Sequence, residues 1–259
     1  MTSPNYDELA ARLLGAMTDR SPLAIANFPI LTENDAYEVQ RLFVGSLCAG
    51  GSSQAAGFKL SMTSPETQAL AAASGPAYGT LTSDMILSDA SEISMSECFE
   101  PRLELELQVI VRETLASGAK RDEIEAKSSV APGIEVPDSR FLRWFGQLPV
   151  GHIVSDLGLA GHVVVGARLP LRTVGDLAEV TGELHHDGNP IARGNASMVM
   201  GDPLAALEWL TDRLEREGRV VEEGTIVSSG TLCMPVPMET GNYRAVYPGI
   251  GEVQFTVVP

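Results

Sequence analysis

Basic side chains are scarce in this sequence. Its 259 residues carry 18 lysines and arginines against 34 acids, a formal charge of −16. Such a field repels phosphate backbones and anionic head groups, which argues against nucleic acid and membrane surfaces as partners. An anionic substrate needs local help against it, and a bound cation is the simplest source. Cysteine is also sparse: Cys48, Cys98 and Cys233 lie far apart without CxxC spacing. That excludes a disulfide framework and a zinc knuckle, and the three read as buried small hydrophobes. No window reaches the roughly 18 apolar residues of a membrane span. The N-terminal segment mixes acids with its apolar residues, unlike a signal peptide. A soluble cytoplasmic protein is the expectation. Also missing are a Ser-His-Asp order, a glycine-rich phosphate loop and a dinucleotide fingerprint, since Gly249-Ile-Gly251 has no helix behind it.

What is present begins with helical periodicity. Leu9, Leu13 and Met17 recur at helical spacing, and a second helix is expected after the capping pattern Thr32-x-x-Asp35, with Ala36, Val39, Leu42 and Phe43 as its apolar stripe. Gly50-Gly51-Ser52-Ser53 marks a loop. It divides an expected N-terminal helical region, 1–52, from a body, 53–259. In the body short β-type runs follow: Leu103 to Val111, His162 to Val165, Ile191 to Met200, Thr225 to Ser228 and Glu252 to Val258. One helix is clear, with Asp202 as N-cap, Pro203 in its first turn, Leu204, Leu207, Leu210 and Leu214 on one face, and Gly218 closing it. Pro235 and Pro237 suggest a loop near a strand end. The texture predicts an α+β fold: a mixed β body with peripheral helices rather than regular βαβ repeats.

The run Pro101-Arg-Leu-Glu-Leu-Glu-Leu-Gln-Val-Ile-Val111 alternates. Residues i and i+2 share a strand face, so Glu104 and Glu106 stand about 6 to 7 Å apart, close enough to share a cation. A solvated edge would explain such a pair equally well. Glu135 adds weight, because it sits between Ile134 and Val136 in a short apolar run, where an unpartnered charge is costly. Three carboxylates without a His or Cys cluster suit a hard cation such as Mg²⁺ or Mn²⁺.

With these segments in view, the chain resembles the 2-keto-4-pentenoate hydratase and 4-oxalocrotonate decarboxylase branch of the fumarylacetoacetate hydrolase superfamily, enzymes of aromatic meta-cleavage pathways. The resemblance is carried by Gly57-Phe-Lys-Leu-Ser-Met-Thr-Ser64, Tyr78-Gly-Thr-Leu81, Pro101-Arg-Leu-Glu-Leu-Glu106, Ile134-Glu-Val-Pro-Asp-Ser-Arg140, Val154-Ser-Asp156, Gly201-Asp-Pro203, Ser229-Gly-Thr231 and Gly249-Ile-Gly-Glu-Val-Gln-Phe255. It implies a mixed β-sheet roll or barrel. It also implies that Glu104, Glu106 and Glu135 are metal ligands, Lys59 the catalytic lysine, and Thr231 and Asp156 residues of the substrate side, Asp156 ordering the site from behind. Two departures stand out. Ala77 in Pro76-Ala-Tyr-Gly79 replaces the acid that hydratases of this family carry, which favours decarboxylation. Leu157-Gly158 and Asp202 replace an Asn-containing pair and a His, which points to another keto acid as substrate.

The implied chemistry is an electron sink: a 2-oxo acid chelates the cation, which stabilises enolate character as a C–C bond breaks or a proton moves. Lys59, between Phe58 and Leu60, is expected on a short strand, where burial and the cation lower its proton affinity and acidic neighbours oppose this. As a sequence feature alone it also fits a surface lysine whose stem covers Phe58. Among the histidines, His185 and His186 fall in a turn between two strands, His162 reads as strand packing, and His152 is a candidate for the mouth of the site. Trp144 and Trp209 read as core or interface anchors. The expectation is a homo-oligomeric, metal-dependent lyase, decarboxylation favoured over 2-hydroxydienoate hydration, with association with a pathway partner enzyme possible in principle. Acylpyruvate C–C hydrolysis and an inactive partner subunit are the remaining alternatives.

Overall fold

The computed structural model describes residues 4–259. Two helices come first, α1 (Tyr6–Thr18) and α2 (Glu33–Cys48), each started by a side chain that accepts a first-turn N–H: Asn5 from Glu8 and Thr32 from Asp35. Then follow β1 (Ala55–Ser61), α3 (Pro65–Ala71), β2 (Ala77–Thr82), β3 (Ile86–Ser88), β4 (Ser91–Ser94), β5 (Arg102–Val111), α4 (Arg121–Lys127), β6 (Ser128–Val136), α5 (Val150–Ser155), β7 (His162–Val165) and β8 (Leu169–Pro170). The chain ends with β9 (Thr181–His186), β10 (Asn189–Asn195), α6 (Pro203–Arg216), β11 (Ile226–Thr231), β12 (Val236–Pro237), β13 (Gly241–Tyr247) and β14 (Gly251–Val258).

The strands form two mixed sheets. The larger runs β2-β1-β11-β5-β6-β7-β3, with β12 on β5 and β8 on β6; the smaller runs β10-β9-β13-β14-β4. Strands β1 and β11, β3 and β7, and β14 and β4 pair in parallel, and the remaining ladders are antiparallel. Leu103, Leu105, Leu107 and Val109 of β5 enter one core with Tyr243, Ala245, Val253 and Phe255 of the smaller sheet and the leucines of α6. A second core gathers Leu9, Leu13, Ala36, Val39 and Phe43 of the first two helices with Leu81, Phe141, Trp144 and Val163. The expected α+β architecture is found.

Local differences have local causes. Helices α3, α4 and α5 were not anticipated; at six or seven residues each is too short to show a clear period. The strand expected to reach Met200 stops at Asn195, whose side chain accepts Ser197 N–H and starts a 3₁₀ turn. Val236 and Pro237 pair with Leu103 and Arg102 as an outlying strand, where proline is tolerated. Cys233 is buried as expected, but Cys48 and Cys98 are only half-buried, because one ends α2 and the other closes a surface 3₁₀ turn.

Gln40 on α2 fastens the helical start to the body. Its side-chain N–H group donates to Val154 O at 2.6 Å and Tyr78 O at 3.2 Å, and its oxygen accepts from Thr80 N at 3.1 Å and Thr80 Oγ1 at 3.2 Å. Removing a buried partner strands each of these groups. Gln40→Leu is expected to lower the unfolding free energy by about 2–4 kcal/mol in denaturant titrations. Arg41→Ala, which removes only an exposed pair with Glu38, should cost under about 1 kcal/mol. Equal losses would show that Gln40 is no special tie.

Candidate metal centre

The alternation of β5 is real, but it does not describe a solvated edge. The strand lies between β11 and β6, so both of its edges are paired, and from Leu105 to Val111 the residues of both faces are buried. Adjacent strands bring the polar residues together by register: Glu104 faces Glu135 on β6, Thr231 of β11 faces Glu106, and Ser228 of β11 lies opposite both Gln108 of β5 and Lys59 of β1. Four neighbouring strands thus supply one site. A register shift in β11 between Ser228 and Thr231 makes this possible, and Gly230 sits at it with φ +116°, where a Cβ would also strike the Thr63 side chain.

One carboxylate oxygen from each of Glu104, Glu106 and Glu135 lies within 4.8 Å of the others. Glu106 and Glu135 are fully buried and Lys59 is 4% exposed. The Lys59 ammonium is 2.7 Å from Glu135 Oε1, and Ser228 donates to Glu106 Oε2 while accepting from Gln108 at 2.8 Å. Three acids facing one ammonium leave negative charge uncompensated in a dry interior. Burial, then Glu135, pushes the Glu104 carboxyl up to about 8, and burial with both neighbouring acids raises Glu106 well above the carboxylate range. For Lys59, burial works against the charged form, but Glu135, Glu104 and Glu106 outweigh it and its pKa is raised. The opposing effect of acidic neighbours therefore wins.

Do these residues fit a metal? Glu106 Oε1 and Glu135 Oε2 are buried with no hydrogen-bond partner among the described residues, and such atoms are rare unless something else meets them. The donor set is all oxygen and strongly acidic. A hard divalent cation answers both the orphaned atoms and the excess charge.

Lys59, Glu104 and Thr231 line a cavity of about 620 Å³, mouth included, whose remaining walls are mostly apolar: Met62, Leu70, Trp144, Phe145, Leu148 and Ile153 among them. Thr231 donates its hydroxyl to Cys233 O at 2.6 Å. Asp156 is not in this wall. It is fully buried, paired with Arg140, and accepts from Ser139 Oγ at 2.7 Å. Ala77, on β2, is buried opposite Ser61 of β1 and likewise stays out of the lining. His152 does not reach the mouth; it is buried against Phe28 and Phe141, at 5.1 and 5.0 Å between ring centres, and burial lowers its pKa. His185 lies 2.7 Å from Glu183 and His186 stacks on Tyr243. Ser228 escaped sequence reasoning, since its partner Glu106 is 122 positions away. Trp144 is a core anchor, as expected, that also shapes the cavity, its indole N–H on Glu100 O at 3.0 Å.

No protein-family model matches the chain. The chain is 30% identical over 254 residues to a 2-keto-4-pentenoate hydratase of Paraburkholderia phymatum, a match covering 96% of this chain and 95% of that one. The chain belongs to the 2-keto-4-pentenoate hydratase family. This hydratase family is joined by a decarboxylase: a 4-oxalocrotonate decarboxylase of a Pseudomonas species is 28% identical over 87% of each chain. Membership makes the chain an enzyme of the lyase type. The fold of the hydratase family also recurs in the solved 4-oxalocrotonate decarboxylase of Pseudomonas putida G7, complexed with magnesium and adipate, with a TM-score of 0.90, 24% identity and coverage of 100% and 99% of the two chains. Among the described residues no helix is long and apolar enough to cross a membrane.

The raised Glu104 pKa has a thermodynamic consequence. A carboxyl that holds its proton more tightly when folded stabilises the fold at low pH and loses that contribution as pH rises through about 8. Chelator-treated protein should therefore show a melting midpoint that falls between about pH 5 and about pH 8. Excess Mn²⁺, which binds the deprotonated acids, should abolish or reverse the fall. Identical profiles with and without Mn²⁺ would contradict the site.

Proposed function

We propose that this chain is a divalent-metal-dependent lyase acting on an unsaturated 2-oxo acid, with decarboxylation as the favoured reaction. The observation that carries the reading is the trio of buried Glu106 and Glu135 with half-buried Glu104, facing Lys59 at one end of a largely apolar cavity. The trio would hold Mg²⁺ or Mn²⁺. When bound, the cation supplies a Lewis acid for the carboxylate and keto oxygens of the substrate and favours enolate character.

The chain's own groups do the rest. Lys59 sits at the cavity wall with its proton held by the acids around it; once those acids are engaged, it loses much of the negative field that keeps the proton, and becomes a usable donor. Thr231 lies at the same end, suited to meet the substrate carboxylate. Trp144, Phe145, Leu148 and Ile153 exclude water from the remainder. Among the described residues, none in the lining beyond Lys59 and Glu104 ionises. One proton carrier suffices for decarboxylation, which needs a single protonation of the product carbon, whereas hydration must both protonate carbon and activate water.

One observation favours hydration instead. Apart from Lys59, no cationic side chain among the described residues lines the cavity; Arg102 lies over the Phe145 ring at 3.5 Å and donates to Pro235 O. A substrate with a second carboxylate would find no partner there, while a 2-hydroxydienoate monoacid would need none. The functional names among the relatives include both reactions. We further read the chain as a cytoplasmic homo-oligomer, its acidic surface suiting an aqueous compartment and a small-molecule substrate.

A substrate panel separates the two reactions: release of CO₂ from 2-oxo-3-enedioates against water addition to 2-hydroxydienoates. Decarboxylation is expected to dominate, and hydration alone would overturn that preference. Glu106→Gln should lower Mn²⁺ affinity and turnover about 100-fold or more. Lys59→Met should lower kcat about 10²- to 10⁴-fold while leaving Mn²⁺ bound. Full activity in either variant would remove that residue from the mechanism.

A further inference from the structure

Three consecutive residues beside the cavity, Leu157, Gly158 and Leu159, adopt left-handed backbone with φ of 56°, 63° and 71°. Leucine takes this conformation only where its surroundings over-determine it. Here they do. Asp156 O accepts from Leu159 N at 2.8 Å and an Arg140 guanidinium N–H at 2.7 Å; Leu157 O accepts from Ala160 N at 3.2 Å. Gly158 O accepts from Ser61 Oγ at 2.7 Å, Leu159 O from Asp138 N at 3.0 Å, and Ala160 O from Arg140 at 2.7 Å. Arg140 is itself fixed by the Asp156 carboxylate, both side chains being buried. Gly79 packs against Leu157 O so closely that any side chain there would collide.

Neither holding a cation nor moving the Lys59 proton requires this turn. What it delivers is the position of the Leu159 side chain, which lines the same cavity as Lys59 and Ser61, the residue that holds Gly158 O. Met62, also in the wall, has φ 57°. A wall made from strained backbone whose carbonyls from Asp156 to Ala160 each accept a hydrogen bond does not yield as a loop would.

We propose that Leu159 is a specificity-determining residue: the braced turn sets it as a fixed stop for the hydrocarbon tail of the 2-oxo acid, with Arg140, Asp156 and Ser61 as positioning residues. This rests on the cavity being the 2-oxo acid site, as argued above. Asp156 thereby acts through the wall rather than on the substrate.

The test needs no turnover. Saturated 2-oxo acids from 2-oxopentanoate to 2-oxooctanoate are titrated calorimetrically into the Mn²⁺-loaded protein. For the native chain, affinity should rise with each added methylene and then drop where the tail meets Leu159. Leu159→Ala should shift the drop to a longer homologue, tightening the first rejected acid about tenfold, and Leu159→Phe should shift it to a shorter one. Ser61→Ala should blunt the drop and Ser61→Thr restore it, with Mn²⁺ affinity alike in all four variants. If Leu159→Ala and Leu159→Phe keep the native length preference, or change every probe equally, the stop is not Leu159. If no 2-oxo acid binds the native chain, both the stop and the 2-oxo acid reading fail.

Discussion

Negative charge crowded into a dry interior is the constraint on which the rest of the structure turns. Glu106 and Glu135 are fully enclosed, Glu104 opens to the cavity, and a single ammonium answers all three. Unpaired carboxylates are among the most expensive groups a fold can bury. They persist because four adjacent strands hold them at fixed register, and because Ser228, Gln108 and Lys59 satisfy part of what water would have supplied. The remainder is an appetite for a cation. Stability and function meet in the same atoms.

Around that point the architecture reads as support. The leucine face of β5 anchors the strand in the core shared with the smaller sheet, so its acidic face has no freedom to turn outward. The shift in β11 at Gly230 lets Ser228 and Thr231 both address β5 across a break in regular pairing. Gln40 ties α2 to β2 and α5, and β2 pairs with the strand carrying Lys59. The N-terminal helices therefore bear on the site through one strand.

Much of this was legible in the chain and some was not, for physical reasons. Period-two alternation placed Glu104 and Glu106 on one face, because neighbouring side chains on a strand obey a strict rule. The apolar run around Glu135 signalled a buried charge that must be met. The three- and four-residue spacing of Leu204, Leu207, Leu210 and Leu214 exposed α6. Cross-strand partners carry no such local mark. Ser228 meets Glu106, and Arg140 meets Asp156, only after the sheet and its flanking turn have formed. The left-handed run at Leu157 and Leu159 was equally hidden, since leucine is not a residue that announces positive φ. Periodicity also could not say that β5 is central; the edge-like alternation was correct about faces and silent about what covers them.

The proposed chemistry depends on these three acids forming one cation centre. The most direct measurement is an anomalous difference map from crystals grown with Mn²⁺. A single strong peak bounded by Glu104, Glu106 and Glu135 is the predicted result. A map with no peak there, with the three carboxyl groups turned apart or the ion bound elsewhere, would contradict it.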